Sequence, residues 1–364
     1  MANQESHKLT LFRGSGDLGL FVWSPFVTKL EFRLRISNTH YVPAAGSPPN
    51  GPRKKIPYLD LTASDGSVVH LSDTTWITRD LIKRGVLPDI NAKLSPTQSA
   101  IDTAVRIMLE EKLFFLQSHE RWVLNFETMR DKVFSQVPLP QRDVVGEKTK
   151  NEIIQKLDLQ GTGRFTDAER WESIEEIWTA IDGLLQESKA KAGDGECFWI
   201  LGGSEPTEAD ATVFGYSVSS QACKSGPKSA QLVKTKFPVV LEYARRIQQK
   251  YFADYAPFDA PTTKFTPPHT LTVATTITQP PLLLFWNQIT TFHPSAMKLH
   301  FTLLVTALTA LVSASGAAKH VEPALAPRDK RCDKKCNGEW EKCIRVRTDF
   351  RCSWRERQEK KDEC

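Results

Sequence analysis

Over residues 9–84 the hydrophobic period alternates between two and 3.6 in a set order, and that order limits the available folds more than any other feature of the chain. Apolar runs at 9–12, 41–42, 56–61 and 68–71 predict strands. A helical stretch over 25–35 separates the first two, and a second helix is expected from about Asp73 to Arg84, stopping at Gly85. In the first helix Phe26, Leu30 and Leu34 recur at i, i+4 and i+8 and should form one buried stripe, with Lys29, Arg33 and Arg35 facing elsewhere. Ser24 is placed to cap that helix, and Pro25 stands in its first turn, where a missing N–H is tolerated. Asp65-Gly66, between two β-patterned runs, signals a hairpin.

From residue 95 onward the period stays helical. Three starts have the same form: Ser95-Pro96-Thr97-Gln98, Thr166-Asp167-Ala168-Glu169 and Thr207-Glu208-Ala209-Asp210. In each the first side chain can accept from an orphan N–H while the fourth reaches back, a cap contributing about 1 kcal/mol. Helices are therefore predicted near 96–133, 145–158, 167–191, 208–222 and 232–250, separated by Pro- and Gly-rich breaks. Thr207 and Asp210 open an apolar helix, which gives them a structural capping role. Trp122, Trp171, Trp178 and Trp199 are expected to pack the helical core, and Cys197 and Cys223, which lack a CxxC spacing, to be buried thiols.

Charge and cysteine divide the chain at a different place. Residues 1–296 hold 33 basic and 33 acidic side chains, so the formal net charge of +5 belongs to the end of the sequence. Without a basic surface on the main body, nucleic acid is not an expected partner. Cys197 and Cys223 are the only cysteines before Cys332, and five more follow from there to Cys364, which implies two redox environments. The start of the chain is polar and carries no secretory pattern, so 1–255 is expected in the cytoplasm.

Four motifs bear on chemistry. Gly14-Ser15-Gly16-Asp17-Leu18-Gly19 matches the dinucleotide fingerprint, but a helix starting there would run through Pro25 at a cost of about 3 kcal/mol, and no ribose-binding acid follows the next strand. A flexible loop is the preferred account. Ile56-Pro57 begins a strand, and the order β-α-β-Pro-β-β-α is that of thioredoxin-like domains, in which this proline is cis and exposes the backbone before it. Trp23-Ser24-Pro25-Phe26 sets a hydroxyl at a helix N-terminus, where partial positive charge favours an anion such as a thiolate; capping alone accounts for the same pair. Asp73-Thr74 can either cap its own helix or receive the ammonium and carboxylate of a peptide-like ligand. No metal site is visible in the main body.

Taken as a set, Leu9-Thr10-Leu11-Phe12-Arg13, Trp23-Ser24-Pro25-Phe26-Val27-Thr28-Lys29-Leu30-Glu31, Lys55-Ile56-Pro57-Tyr58, Ser72-Asp73-Thr74, Gln160-Gly161-Thr162-Gly163-Arg164-Phe165 and Pro206-Thr207-Glu208-Ala209-Asp210 resemble glutathione-transferase-like proteins related to metaxins, namely the failed axon connections homologues and cadmium-responsive proteins. The resemblance covers about residues 8–255. It implies a two-domain glutathione-transferase architecture, an N-terminal thioredoxin-like α/β domain (1–85), a linker (86–94) and a C-terminal all-α domain (95–255). It also implies glutathione as ligand or co-substrate in the interdomain groove, bound by Trp23, Ser24, Ile56, Pro57, Asp73 and Thr74, with Ser24 as the catalytic candidate. Cysteine-type transferases read Cys-Pro-Phe where this chain has Ser24-Pro25-Phe26. Serine can donate to the glutathione sulfur but cannot form a mixed disulfide. Thr74 likewise stands where transferases usually have serine.

Two functions follow from the resemblance: a glutathione-binding protein with weak conjugating activity in detoxification or metal stress, or a non-enzymatic metaxin-like adaptor for protein import or interaction. The first carries the expectation of a homodimer. The second carries that of a protein partner, with the mitochondrial outer membrane as alternative location.

Residues 256–296 are Thr/Pro-rich and read as an unstructured linker. An apolar segment with small residues behind it, 297–318, has the layout of a secretory signal placed inside the chain, and a dibasic pair, Lys330-Arg331, precedes a basic cysteine-rich tail within 319–364. A membrane role arises only if 299–318 acts as an anchor. Otherwise 297–364 is a separate secreted precursor, with two disulfides drawn from candidates such as Cys332, Cys336, Cys343 and Cys352, whose pairing the sequence does not choose. That layout implies two adjacent coding regions joined in one sequence. Transcript sequencing across codons 250–300 checks this. Separate messages are expected, and one abundant continuous message yielding a single full-length protein would refute it.

Overall fold

The first strand of the chain, β1 (Lys8–Phe12), is central in a four-stranded sheet of order β2-β1-β3-β4. A helix, α1 (Pro25–Ile36), carries the chain back to β2 (Val42–Ala44), which pairs with β1 in parallel. β3 (Tyr58–Thr62) and β4 (Val68–Ser72) add antiparallel neighbours, joined by a turn in which Asp65 Oδ1 accepts from the Ser67 N–H and Gly66 takes φ +83°. The helix α2 (Thr74–Lys83) follows β4 directly and ends before Gly85, at φ +71°. This computed structural model describes residues 7–259, which lie within one compact unit, 1–271. The linker, the signal-like segment and the cysteine-rich tail predicted beyond that point lie outside the described residues.

Helices form the remainder. A long rod comprises α3 (Pro96–Ile107), a π-helical turn at Met108–Leu113, α4 (Phe114–His119) and a second π-helical turn at Glu120–Leu124. The predicted single helix over 96–133 breaks at Asn125, where φ is −121°, and resumes as α5 (Phe126–Val133). Then come α6 (Gln141–Gln160), α7 (Asp167–Lys191) and α8 (Glu208–Ala222). The predicted 145–158 helix thus begins four residues early, directly after Pro140. The helix predicted over 232–250 is two, α9 (Pro227–Lys236) and α10 (Pro238–Tyr251), because each proline occupies a first turn rather than an interior. The architecture is a thioredoxin-like α/β part followed by an all-α part. Among the described residues no helix is long and apolar enough to cross a membrane.

The predicted caps form. Ser95 Oγ accepts from the Gln98 N–H at 3.3 Å and Thr166 Oγ1 from the Glu169 N–H at 3.3 Å, each with the reciprocal bond from the fourth side chain. Asp210 goes further. Wholly buried, its carboxylate receives the Ile200 N–H at 2.7 Å, the Thr207 N–H at 2.8 Å, the Thr207 hydroxyl and the Tyr243 hydroxyl, tying the loop before α8 to α10. Burial pushes this carboxyl up to about 6, against the pull of those donors. Of the four tryptophans assigned to the core, Trp178 and Trp199 are buried in it and Trp171 is half-buried at its edge, whereas Trp122 is half-buried against Phe134, away from it. Cys223 is buried and Cys197 half-buried, both as free thiols.

The largest departure from the sequence reading concerns α1. Leu30 and Leu34 pack on the sheet with Leu9, Leu11, Leu59, Ile77 and Leu81, whereas Phe32 enters the helical core beside Phe214 and Phe252. Both faces are therefore covered, and Phe26 is only half-buried. Lys29 and Arg33 do not face solvent. They are buried against the helical part, Lys29 Nζ 2.6 Å from Glu110 Oε1 and Arg33 Nε 2.5 Å from Glu208 Oε1. The two helices approach at Gly215 of α8, where a Cβ would lie 2.4 Å from the Pro25 carbonyl oxygen and 3.1 Å from the Lys29 nitrogen.

Two outcomes follow. Gly215→Ala meets backbone rather than a movable side chain and should lower unfolding free energy by about 2 kcal/mol or more in urea melts, with α1 displaced. Asp210 titrates higher in the folded chain than its ordinary value near 3.8, so its ionisation opposes folding. Its contribution is fullest below that ordinary value and falls away as pH rises through about 6. Asp210→Asn should cost about 1–3 kcal/mol through mispaired donors. The gap between wild type and variant should narrow between about pH 4 and pH 6, as read from denaturation midpoints.

Candidate functional site

Strand register brings one end of the sheet into focus. Tyr58 is the partner of both Phe12 and Ser72, so Arg13, Pro57 and Asp73 follow at the same edge. The N-termini of α1 and α2 open at this edge too, since each follows a strand that ends there. Sequence positions 24, 56–57 and 73–74 are thereby drawn to one end of the fold by topology alone.

Ser24 occupies the N-cap position of α1 in an extended conformation, φ −83° and ψ 119°, yet its side chain makes no capping hydrogen bond. Among the described residues the hydroxyl has no partner, and the first turn of α1 contains no acidic side chain. The helix start thus combines an unengaged hydroxyl with unmatched N–H groups. The preceding residue, Trp23, is half-buried, and its carbonyl accepts from the Ser219 hydroxyl of α8 at 2.7 Å. On the side of α1 that packs on the helical part, Phe26 meets Phe114 and Tyr216 edge-on, with ring centroids 5.3 Å and 6.0 Å away.

The Ile56–Pro57 peptide is cis, as the strand order led one to expect. Pro57 is buried and Ile56 half-buried. Ile56 lies outside the β3 ladder, and among the described residues neither its N–H nor its C=O has a hydrogen-bond partner. An extended ligand could pair with it as an added strand.

Asp73 has φ +75°, a conformation strained for a residue with a side chain. Its Oδ1 accepts from the Thr75 and Trp76 N–H groups at 3.2 and 3.4 Å, so it does cap α2. The capping role engages one carboxylate oxygen and leaves the other for a cationic group. Thr74 is buried behind it, and the buried Ser72 hydroxyl has no partner among the described residues. Thr207 and Asp210, in contrast, serve the fold at the start of α8.

Other residues position the site without having been singled out from sequence. Wholly buried Arg13 sends Nη1 to the Asp17 carbonyl at 2.8 Å and Nη2 to the Leu20 carbonyl at 2.7 Å, so the Gly14–Gly19 loop is a loop, as preferred over a dinucleotide site, but a tethered one. Arg13 Nε lies 2.9 Å from Glu31 Oε1, off line for a hydrogen bond, which makes the contact chiefly ionic. Burial raises the Glu31 carboxyl above its ordinary value, with Arg13 and the Tyr255 hydroxyl pulling back. A strap after α10 closes over this cluster: the Ala256 N–H donates to the Gly19 carbonyl at 2.8 Å, and Arg35 pairs with Asp254 beneath the rings of Phe252 and Tyr255. Arg13 was visible as a lone charge after an apolar strand, but its partners are too distant in sequence to be read. Among the described residues no cluster of His, Cys, Asp and Glu is arranged to hold a metal ion.

The chain resembles a glutathione S-transferase of Methylobacterium radiotolerans in complex with glutathione sulfonate, at 15% identity and a TM-score of 0.42, covering 71% of this chain and 99% of that one. A glutathione transferase of Phanerochaete chrysosporium aligns at 16% identity and 0.45, covering 68% and 99%, and a rice glutathione transferase crystallised with glutathione at 15% and 0.38, covering 70% and 92%. Residues 25–129 match the glutathione S-transferase N-terminal domain family, a match that starts at α1 and runs past the expected linker into α5. Over residues 25–129 the chain is glutathione-transferase-like.

Proposed function

We propose that the chain binds glutathione at the edge formed by Ser24, Ile56 and Asp73 and promotes its conjugation to an electrophile. The carrying observation is that three unmatched groups share that edge: a Ser24 hydroxyl that does not cap its helix, an Ile56 backbone without partners, and a strained Asp73. Glutathione complements all three. Its cysteinyl backbone would pair with Ile56 beside Pro57, its γ-glutamyl ammonium would meet the second Asp73 oxygen beside Thr74, and its sulfur would lie at Ser24, below Trp23. The thiol proton leaves to solvent, and the thiolate is held by the Ser24 hydroxyl and the first N–H groups of α1. Lowering a thiol from about 8.5 to near 6.5 requires roughly 2.7 kcal/mol of preferential thiolate stabilisation. A helix end and one charge-assisted hydrogen bond are together of that size. The sulfur then attacks an electrophilic carbon, forming the C–S bond as the electrophile's leaving group departs. Serine at this position supports conjugation rather than thiol transfer.

A role in detoxification or metal stress in the cytoplasm accords with this chemistry. A metaxin-like adaptor is the competing proposal, and α6 gives it an observation, since Val144 and Leu159 are 70% and 75% exposed on a helix that buries little of itself.

Calorimetry with glutathione on the full-length chain separates the two. Heat of binding is expected at millimolar ligand or below. Ser24→Ala should reduce turnover of a model electrophile about tenfold or more while changing affinity little, and Asp73→Ala should weaken binding about tenfold. Absence of heat would leave the adaptor, and wild-type turnover in Ser24→Ala would remove the assigned catalytic role.

A further inference from the structure

Between Glu31 and Asp60 the sequence contains no acidic residue, yet the chain reaches the Ile56 edge through three consecutive cations, Arg53, Lys54 and Lys55. All three are exposed. Elsewhere in the thioredoxin-like part Arg13, Lys29, Arg33, Arg35 and Arg84 each lie against a carboxylate. The loop cations form no ion pair among the described residues. Lys54 folds back, donating through Nζ to the Pro49 carbonyl at 2.7 Å, and the side chains of Arg53 and Lys55 have no partner among the described residues. Two carboxylates of this edge are engaged on their own segments, since Asp17 accepts from the Ser15 hydroxyl at 2.7 Å and Asp73 caps α2.

The backbone holds these charges together. The Lys54 N–H donates to the Gly51 carbonyl at 2.9 Å and Lys54 takes φ +54°, a second unfavourable conformation at the edge that also holds Asp73. Gly51 is buried, and a Cβ on it would lie 2.5 Å from the Lys55 carbonyl oxygen, so the turn closes only because glycine stands there. Like charges fixed in one tight turn repel one another, and an anionic ligand relieves that repulsion on binding.

Strand register indicates where such a ligand carries its charge. Tyr58 pairs with Ser72, so Asp73 lies on the Pro57 side of Ile56. A ligand strand with its cysteinyl residue opposite Ile56 and its γ-glutamyl end at Asp73 runs antiparallel to the chain, which sets its third residue opposite Lys55 and directs anything longer past Lys54 and Arg53. In glutathione the third residue is the last, and its single carboxylate leaves the rest of the basic turn unmatched. Resting on the glutathione reading given above, we propose that Arg53–Lys55 extends the site beyond the glycyl position and selects thiol peptides longer than glutathione that carry acidic residues there. The loop then sets which thiol is taken, while Ser24 acts on the sulfur in the same way for each.

The test is calorimetry on the full-length chain with glutathione and two pentapeptides, γ-Glu-Cys-Gly-Glu-Glu and γ-Glu-Cys-Gly-Gln-Gln, which differ only in charge beyond the glycine. Two exposed charge pairs should give the acidic pentapeptide an advantage of about fivefold over the neutral one at low ionic strength, falling below about twofold in roughly 0.5 M salt. Arg53→Gln combined with Lys55→Gln should bring the two pentapeptides within about twofold of each other at low salt. Both positions are exposed, so the double variant should fold. Equal affinity of the wild-type chain for the two pentapeptides overturns this inference and leaves glutathione binding standing, as does an advantage that survives in the double variant or is unchanged by salt. Absence of heat with all three peptides overturns the glutathione reading, and this inference with it.

Discussion

The close approach of α1 to α8 at Gly215 is the contact on which the rest of the structure depends. With a Cβ there, the Pro25 carbonyl would have to move, and with it the whole first turn of the helix that carries Ser24. Because α8 lies against one face of α1 and the sheet against the other, α1 has no solvent face, and every charge it carries must be matched from within the molecule. Lys29, Glu31 and Arg33 are matched by Glu110, Arg13 and Glu208, two of which come from the helical part. Such buried pairs add little net stability, since desolvation offsets most of their attraction, but any shift of α8 against α1 would leave a charge uncompensated at a cost of several kcal/mol. They fix the register of one part on the other.

The same logic governs the entry to α1. A loop rich in glycine would ordinarily be free to wander, yet Arg13 binds it from below through the Asp17 and Leu20 carbonyls, and the strap after α10 binds it from above through Gly19. Glu31 sits at the centre of that cluster, shared between Arg13 and the hydroxyls of Tyr41 and Tyr255. The position of Ser24 is therefore determined by residues from β1, α1 and the end of the helical part together. At the opposite side Asp73 keeps a strained backbone because β4 and α2 enclose it without an intervening loop. Strain held in that way is characteristic of ligand clamps.

Much of this was legible in the sequence, for local reasons. The period changes over residues 9–84 gave the strand and helix order because a half-covered sheet and an amphipathic helix impose different spacings. The caps at Ser95, Thr166 and Thr207 fixed helix starts because capping is a matter of four neighbouring residues. The split of the last helix at Pro238, the early start of α6 and the break at Asn125 were missed. The first two turn on a proline being read as an interior or boundary residue, and the third on tertiary packing overriding a continuous helical pattern.

Sequence by itself determined the fold class and the candidate residues Ser24, Ile56, Pro57, Asp73 and Thr74, since each belongs to a short string with its own physical rationale. Tertiary structure alone decided that the Ser24 hydroxyl is unengaged, that Asp73 caps α2 with one oxygen only, and that Lys29 and Arg33 are buried. It alone could pair Lys29 with Glu110 and Arg33 with Glu208, because a basic residue in a sequence carries the same charge whether a carboxylate is folded against it or not. Those partners meet only when residues 81 and 175 positions apart are folded against one another, and non-local contacts of that kind leave no periodicity in the chain for a sequence reading to detect.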